Sequence, residues 1–184
     1  MILLGLGGGG LAHCLSHYYP EAMIRVVEIR RAVIDIAYDW FDLPRHNRLQ
    51  VINDDAAHYV SRITPGSIDI VFSDLYQAEG MAACQAQQVF IEACYRALSD
   101  SGCLVLNFHD RPDTGSQLMK TIETLFTEII VYDHDESVGK QNAIMFCCKQ
   151  RVALHQPEVN WRAECLKNLV KMPLLQYYRK LSTI

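Results

Sequence analysis

Ile2-Leu3-Leu4-Gly5-Leu6-Gly7-Gly8-Gly9-Gly10 is the stretch on which the fold turns. Consecutive apolar residues without polar alternation suit a strand buried on both faces. The glycines then break the strand, and Leu11, Cys14, Leu15 and Tyr18 recur at helical spacing. Gly5, Gly7 and Gly10 satisfy G-x-G-x-x-G between a strand and a helix, the context that gives this pattern meaning. Backbone approaches a ligand closely there, and the N–H groups of a helix N-terminus point at it. The plain alternative is a tight turn that binds nothing.

Outward from this turn, Pro20 stops the helix and Met23 to Ile29 reads as a second strand carrying Glu28 at its end. A helical stripe of Val33, Ile34, Ala37 and Phe41 follows, then a third strand over Leu49 to Ile52 closed by Asn53-Asp54-Asp55. Ala56 to Ile63 is expected to be a helix capped by one of those acids. Ile68 to Phe72 is a fourth, buried-type strand ending at Ser73-Asp74, and a loop leads to a helix expected over Ala82 to Leu98. Asp100-Ser101-Gly102 turns the chain into a fifth strand, Cys103 to Phe108. A helix over Gln117 to Phe126 precedes two strands, Glu128 to Tyr132 and Asn142 to Cys148, too close together for a helical crossover and so expected to pair antiparallel. The pattern predicts an α/β fold: a doubly wound, mostly parallel sheet with an antiparallel edge strand. The expected organisation is an α/β domain over residues 1–150 and a helical extension over 151–184, whose Trp161 to Leu181 stripe reads as packed on the sheet or as the surface of a homodimer. Because the chain begins directly inside its first strand, either a truncation or the lack of a leading segment is expected.

Composition narrows the function. The chain has 184 residues, 50% of them apolar, enough to bury a core without metals or disulfides. A formal charge of −4 offers no basic field for phosphate backbones, which argues against a nucleic-acid binder and suits a cationic small substrate better. The seven cysteines are odd in number and scattered; they read as reduced thiols in a cytoplasmic protein, and the adjacent Cys147-Cys148 suggests no redox role. No Cys-x-x-Cys pair occurs, so no metal is expected. No apolar run has the length to cross a bilayer, so no membrane association is expected.

Three acids close three successive strands. Glu28 lies about 20 residues beyond the glycine turn, where a carboxylate accepts hydrogen bonds from ribose hydroxyls and disfavours a 2′-phosphate. Asp54 reads as an acceptor from an adenine amino group or, alternatively, as a helix N-cap. Asp74 follows the fourth strand. Ligands of open α/β sheets bind outside the carboxyl ends of the strands, so all three are expected to line one crevice.

Val26-Val27-Glu28-Ile29, Ile52-Asn53-Asp54-Asp55-Ala56-Ala57, Asp69-Ile70-Val71-Phe72-Ser73-Asp74 and Arg96-Ala97-Leu98-Ser99-Asp100-Ser101-Gly102 resemble, in order and spacing, the nucleoside-binding domain of spermidine synthases, which has the S-adenosylmethionine-dependent methyltransferase fold. The resemblance covers Ile2 to Phe108. It implies a donor, S-adenosylmethionine or its decarboxylated form, facing the glycine turn, with Glu28 on the ribose, Asp54 on the adenine, and Asp74 assisting deprotonation of an amine or polyamine acceptor. Departures accompany it. The family's G-G-G-D-G-G turn has Gly8 in place of the acid that helps hold the donor's aminopropyl amine, Arg30 replaces an acid, Asp55 replaces a glycine, and Gln77 and Ala78 stand where a second aspartate and a proline are usual. The family's amino-terminal β-domain has no counterpart in these residues.

The expected function is alkyl (aminopropyl) transfer to an amine. Transfer from a sulfonium requires alignment of nucleophile, carbon and sulfur, and an unprotonated amine, the task given to Asp74. Tyr76 and Glu79 are candidates for orienting the acceptor, and His109 and Asp110 read as loop residues near the cleft. A methyltransferase and a non-catalytic nucleoside-binding homologue are the alternatives; a nicotinamide-dependent enzyme fits Asp54 and Asp74 poorly.

Overall fold

The computed structural model describes residues 1–77, 80–109, 112–133, 143–152 and 181–183. The chain runs β1 (Ile2–Leu4), α1 (Gly10–Tyr18), β2 (Ile24–Glu28), α2 (Arg31–Trp40), β3 (Leu49–Asn53), α3 (Ala56–Ser61) and β4 (Ile68–Ser73). A two-stranded ribbon follows, β5 (Tyr76–Gln77) and β6 (Gly80–Met81), then a 3₁₀ turn (Ala83–Ala86), α4 (Gln88–Ala97), β7 (Leu98–Phe108), α5 (Gln117–Leu125), β8 (Glu128–Asp133), β9 (Ala143–Cys148) and β10 (Leu181–Thr183).

The main sheet has the order β10-β8-β9-β7-β4-β1-β2-β3. Its five strands from β3 to β7 are parallel; β9 runs antiparallel to both β7 and β8, and β10 antiparallel to β8. This is the doubly wound, mostly parallel sheet with an antiparallel edge that the sequence pattern predicts. The expected hairpin forms, with its returning strand β9 inserted between β7 and β8.

Two apolar layers flank the sheet. Leu3, Val26, Ala12, Leu15, Ile34 and Ala37 pack β1 and β2 against α1 and α2. On the opposite face Ile2, Leu4, Val71, Ile91, Cys94 and Ile122 join the central strands to α4 and α5. Residues of β1 therefore bury side chains in both layers, which is why Ile2-Leu3-Leu4 carries no polar alternation.

Two boundaries differ from expectation. The helix expected over Ala82 to Leu98 breaks at Gln87, which is extended, because the preceding 3₁₀ turn directs Gln85 inward to the strand ends. Strand β7 begins at Leu98, directly after α4, and its pairing with β4 jumps from Ile68↔Leu98 to Ile70↔Cys103. The residues expected as a turn form this irregularity. A Cβ on Gly102 would lie 2.9 Å from that of Leu98, so the doubling back needs a residue without a side chain. Within the expected carboxyl-terminal extension, residues 153–180 lie outside the described residues.

Candidate active site

The chain passes from β1 through β2 to β3 on one side, then returns to place β4 on the other side of β1. The carboxyl ends of β1 and β4 thus flank the topological switch point, where open α/β sheets bind their ligands. Here the two ends are pressed together. Across them Asp74 N–H donates to Leu4 O at 2.9 Å, while on the other side Gly5 N–H donates to Val27 O of β2 at 2.8 Å. Gly5 has φ +97°, and a Cβ there would sit 2.3 Å from the Asp74 carbonyl oxygen. The first glycine of the motif is therefore what lets Asp74 come alongside the turn. Gly7 (φ +54°) has open space where a Cβ would project, leaving its backbone uncovered toward the cleft.

Glu28, at the end of β2, is only 5% exposed. Its Oε2 accepts the Leu6 N–H at 3.1 Å, and its Oε1 accepts the Arg30 N–H at 2.9 Å and the Arg30 Nε at 3.4 Å. These bonds fix the carboxylate against the glycine turn, while each oxygen keeps acceptor capacity for a diol. Ile29, next in sequence and 58% exposed, adds an apolar surface to the same cleft.

Asp74 is exposed, and its Oδ1 accepts the Asn107 Nδ2 at 2.8 Å. Behind it lies Gln85, fully buried: its Oε1 accepts the Ser73 hydroxyl at 2.7 Å and the Leu75 N–H at 3.3 Å, and its Nε2 donates to Asn107 O at 2.8 Å. One amide therefore ties the ends of β4 and β7 to the 3₁₀ turn and sets where Asp74 and Asn107 meet. Neither Gln85 nor Asn107 stands out in the sequence. Gln85 falls among small residues with no periodicity, and Asn107 reads as an ordinary polar position in a strand.

The cleft thus brings together Gly5, Gly7, Glu28, Asp74 and Tyr76. Two expected members lie outside its lining. Gly10 begins α1, and a Cβ there would meet nothing within 4 Å; Gly9, at φ +82° with Leu43 2.8 Å from a Cβ position, is the glycine that this end of the turn requires. Asp54 accepts from Asp55 N–H at 2.8 Å and His58 Nδ1 at 3.2 Å, and it pairs with Arg62. Its hydrogen bond with His58 is the first of the influences that hold its carboxyl below the usual range. The helix N-cap is the neighbouring Asp55, whose Oδ1 accepts the His58 N–H at 2.8 Å, and it is Asp55 that lines the cleft. Glu79 and Asp110 lie outside the described residues, and His109 is exposed after β7. Cys84 also lines the cleft, where burial, assisted by Asp55, pushes its thiol up and keeps it a neutral group rather than a nucleophile.

Gly8 faces an aromatic ring: a Cβ there would lie 3.7 Å from Phe41. Among the described residues no group of three or more His, Cys, Asp or Glu side chains is placed to hold a metal, and no helix is long and apolar enough to cross a membrane.

The family model of the spermine/spermidine synthase domain matches residues 1–132. The chain belongs to that family. Within curated proteins, similarity extends to the polyamine aminopropyltransferase of Chromobacterium violaceum, 33% identical over 109 residues, covering 59% of this chain and 41% of that protein. It extends equally to the eEF1A lysine and N-terminal methyltransferase of Xenopus laevis, 27% identical over 157 residues, covering 80% of this chain and 22% of that protein. The chain spans less than half the length of either. The fold matches a probable spermidine synthase from Corynebacterium glutamicum with a TM-score of 0.75 at 24% identity, over 90% of this chain and 62% of that one. It also matches human methyltransferase-like protein 13, solved with SAH, with a TM-score of 0.75 at 22% identity over 94% and 82%. The spermine/spermidine synthase domain here is thus related both to aminopropyltransferases and to methyltransferases.

Proposed function

We propose that this spermine/spermidine synthase domain binds S-adenosylmethionine or its decarboxylated form in the crevice between β1 and β4 and transfers an alkyl group to an amine. The observation that carries this reading is the seam at Gly5, which sets a buried ribose-type acceptor, Glu28, and an exposed acid, Asp74, on opposite walls of one cleft. When bound, the donor supplies a sulfonium whose adjacent carbon is open to displacement.

The chain's own residues supply position and a proton acceptor. Glu28 holds the ribose diol, and the uncovered backbone at Gly5 and Gly7 admits the nucleoside. Asp54, committed to Arg62 and His58, anchors the turn between β3 and α3. Asp74 binds the acceptor as a cation and takes its proton, leaving the nitrogen lone pair free to form the new N–C bond as the C–S bond breaks. Asn107 orients the Asp74 carboxylate, and Tyr76 lies beside it to contact the acceptor.

Methyl transfer from S-adenosylmethionine is a second reading, favoured by one observation. Where the family carries an acid for the donor's amine, this chain has Gly8 against the Phe41 ring, so nothing at that position selects the decarboxylated donor.

The test is a transfer assay with both donors and a panel of amines on the parent and on Asp74→Asn. General-base assistance is worth about a hundred- to ten-thousandfold in rate, so turnover is expected to fall by that factor with donor affinity nearly unchanged. Full activity in the variant removes Asp74 as the base. A parent that binds donor but transfers to no amine marks a nucleoside-binding homologue without catalysis.

A further inference from the structure

Cys103 and Cys148 lie far apart in sequence but face each other directly across the β7–β9 ladder, their sulfurs 3.0 Å apart. Lys149 N–H donates to Gly102 O at 3.1 Å, so the flanking residues carry the ladder's hydrogen bond and the two cysteines form a non-hydrogen-bonded pair. Such pairs bring their Cα atoms to about 4.5 Å, within the range of roughly 4.4–6.8 Å that a disulfide spans. The neighbouring Cys147 points to the other face and is buried with the core, so the adjacent pair in sequence is not the pair in space.

We propose that Cys103 and Cys148 form a reversible dithiol–disulfide site, oxidised by a hydroperoxide. Cys103 is half-buried and Cys148 is 5% exposed, an environment that a molecule the size of hydrogen peroxide reaches more easily than a bulky disulfide does. The hydrogen bond with Cys103 holds the Cys148 thiol below the usual range against burial and the Glu128 carboxylate, while the same bond, followed by burial, pushes Cys103 up. Cys148 is thus the attacking sulfur and Cys103 the resolving one.

The Cys148 thiol ionises and its thiolate attacks a peroxide oxygen; the O–O bond breaks, hydroxide leaves and combines with the proton that the thiol released to give water, and Cys148 becomes a sulfenic acid. Cys103 Sγ then attacks Cys148 Sγ, the S–O bond breaks, and the departing hydroxide takes the Cys103 proton as a second water. Two thiols are oxidised, one peroxide is reduced, and an S–S bond links β7 to β9.

The experiment treats the reduced full chain with hydrogen peroxide, blocks remaining thiols by alkylation, and maps the digested peptides by mass. The expected product is a Cys103–Cys148 cross-linked peptide, lighter than the two free peptides by two hydrogen atoms and split by dithiothreitol. In Cys103→Ser the link is lost and dimedone captures a sulfenic acid at Cys148; should that variant not fold, the map of the unaltered chain decides alone. The proposal is overturned if both cysteines stay fully alkylatable when the exposed Cys14 is oxidised. It is equally overturned if Cys148 over-oxidises with Cys103 still free, or if either one is linked instead to Cys165.

Discussion

On the β2 wall of the cleft, Glu28 is 5% exposed and receives two backbone N–H groups; on the β4 wall, Asp74 is exposed and receives one side-chain amide, from Asn107. Two of the donors that hold the first carboxylate are backbone N–H groups, which no substitution at Leu6 or Arg30, short of proline, removes. The second is held by a side chain that one mutation deletes. The walls meet at Gly5, where the backbone of Asp74 passes 2.3 Å from a Cβ position. The difference separates two tasks. On the proposed reading, the donor-side carboxylate is positioned by the backbone of the fold, whereas the acceptor-side carboxylate depends on side chains that can change while the sheet stays intact. This fits a family that includes relatives named for aminopropyl transfer and for methyl transfer.

The seam is the place to break this division, because a change there strikes both walls. Gly5→Ala is expected to cost about 2–5 kcal/mol of stability, from positive-φ strain plus overlap with the Asp74 carbonyl, and to abolish measurable donor binding. Gly10→Ala, with open space at its Cβ, is the matched control and should change thermal stability by less than about 1 kcal/mol. Equal effects from the two would dissolve the distinction between the glycines.

Glu28→Gln isolates the donor wall. It keeps the shape of the side chain but replaces one acceptor oxygen with an NH2 that meets a backbone N–H and accepts nothing from the ribose diol, so donor affinity should fall by about 1–3 kcal/mol by titration calorimetry, with the fold unchanged by circular dichroism. Unchanged affinity would remove Glu28 from the site.

Asp54 sharpens the comparison from outside the cleft. Its folded pKa is depressed, chiefly by the hydrogen bond to His58, so its contribution to stability is present above the unfolded value of about 3.9 and is lost as pH falls through the lower folded value. Asp54→Asn should erase that acid-side dependence in a pH series of thermal melts while leaving donor affinity within about twofold, well short of a kilocalorie. A loss as large as that of Glu28→Gln would return Asp54 to the adenine.

The strand–glycine–helix opening, the acids at the strand ends and the terminal hairpin were all legible in the sequence, because each leaves a local mark: an unbroken apolar run, a positive-φ glycine, a separation too short for a crossover. What was not legible depends on contacts distant in sequence. Gln85 earns its place by reaching Ser73 and Asn107, neither of which its own neighbourhood announces. The assignment of Gly10 rather than Gly9 followed the motif's spacing, whereas Leu43, packed from another loop, decides which glycine is required. Asp54 and Asp55 are adjacent acids that sequence treats alike, and only the position of Arg62 and the start of α3 separate the ion-paired one from the cap. Cys148 reads as half of an adjacent pair until the β7–β9 register sets it opposite Cys103.

The most direct test of donor recognition built on the backbone, with no side chain selecting the donor's tail at Gly8, is calorimetric titration of the unaltered chain with S-adenosylmethionine and with its decarboxylated form. The account predicts that both bind, with dissociation constants within about tenfold, or 1.4 kcal/mol, of each other. A preference of about a hundredfold or more for the decarboxylated donor, near 2.7 kcal/mol, or the failure of both to bind, would contradict it.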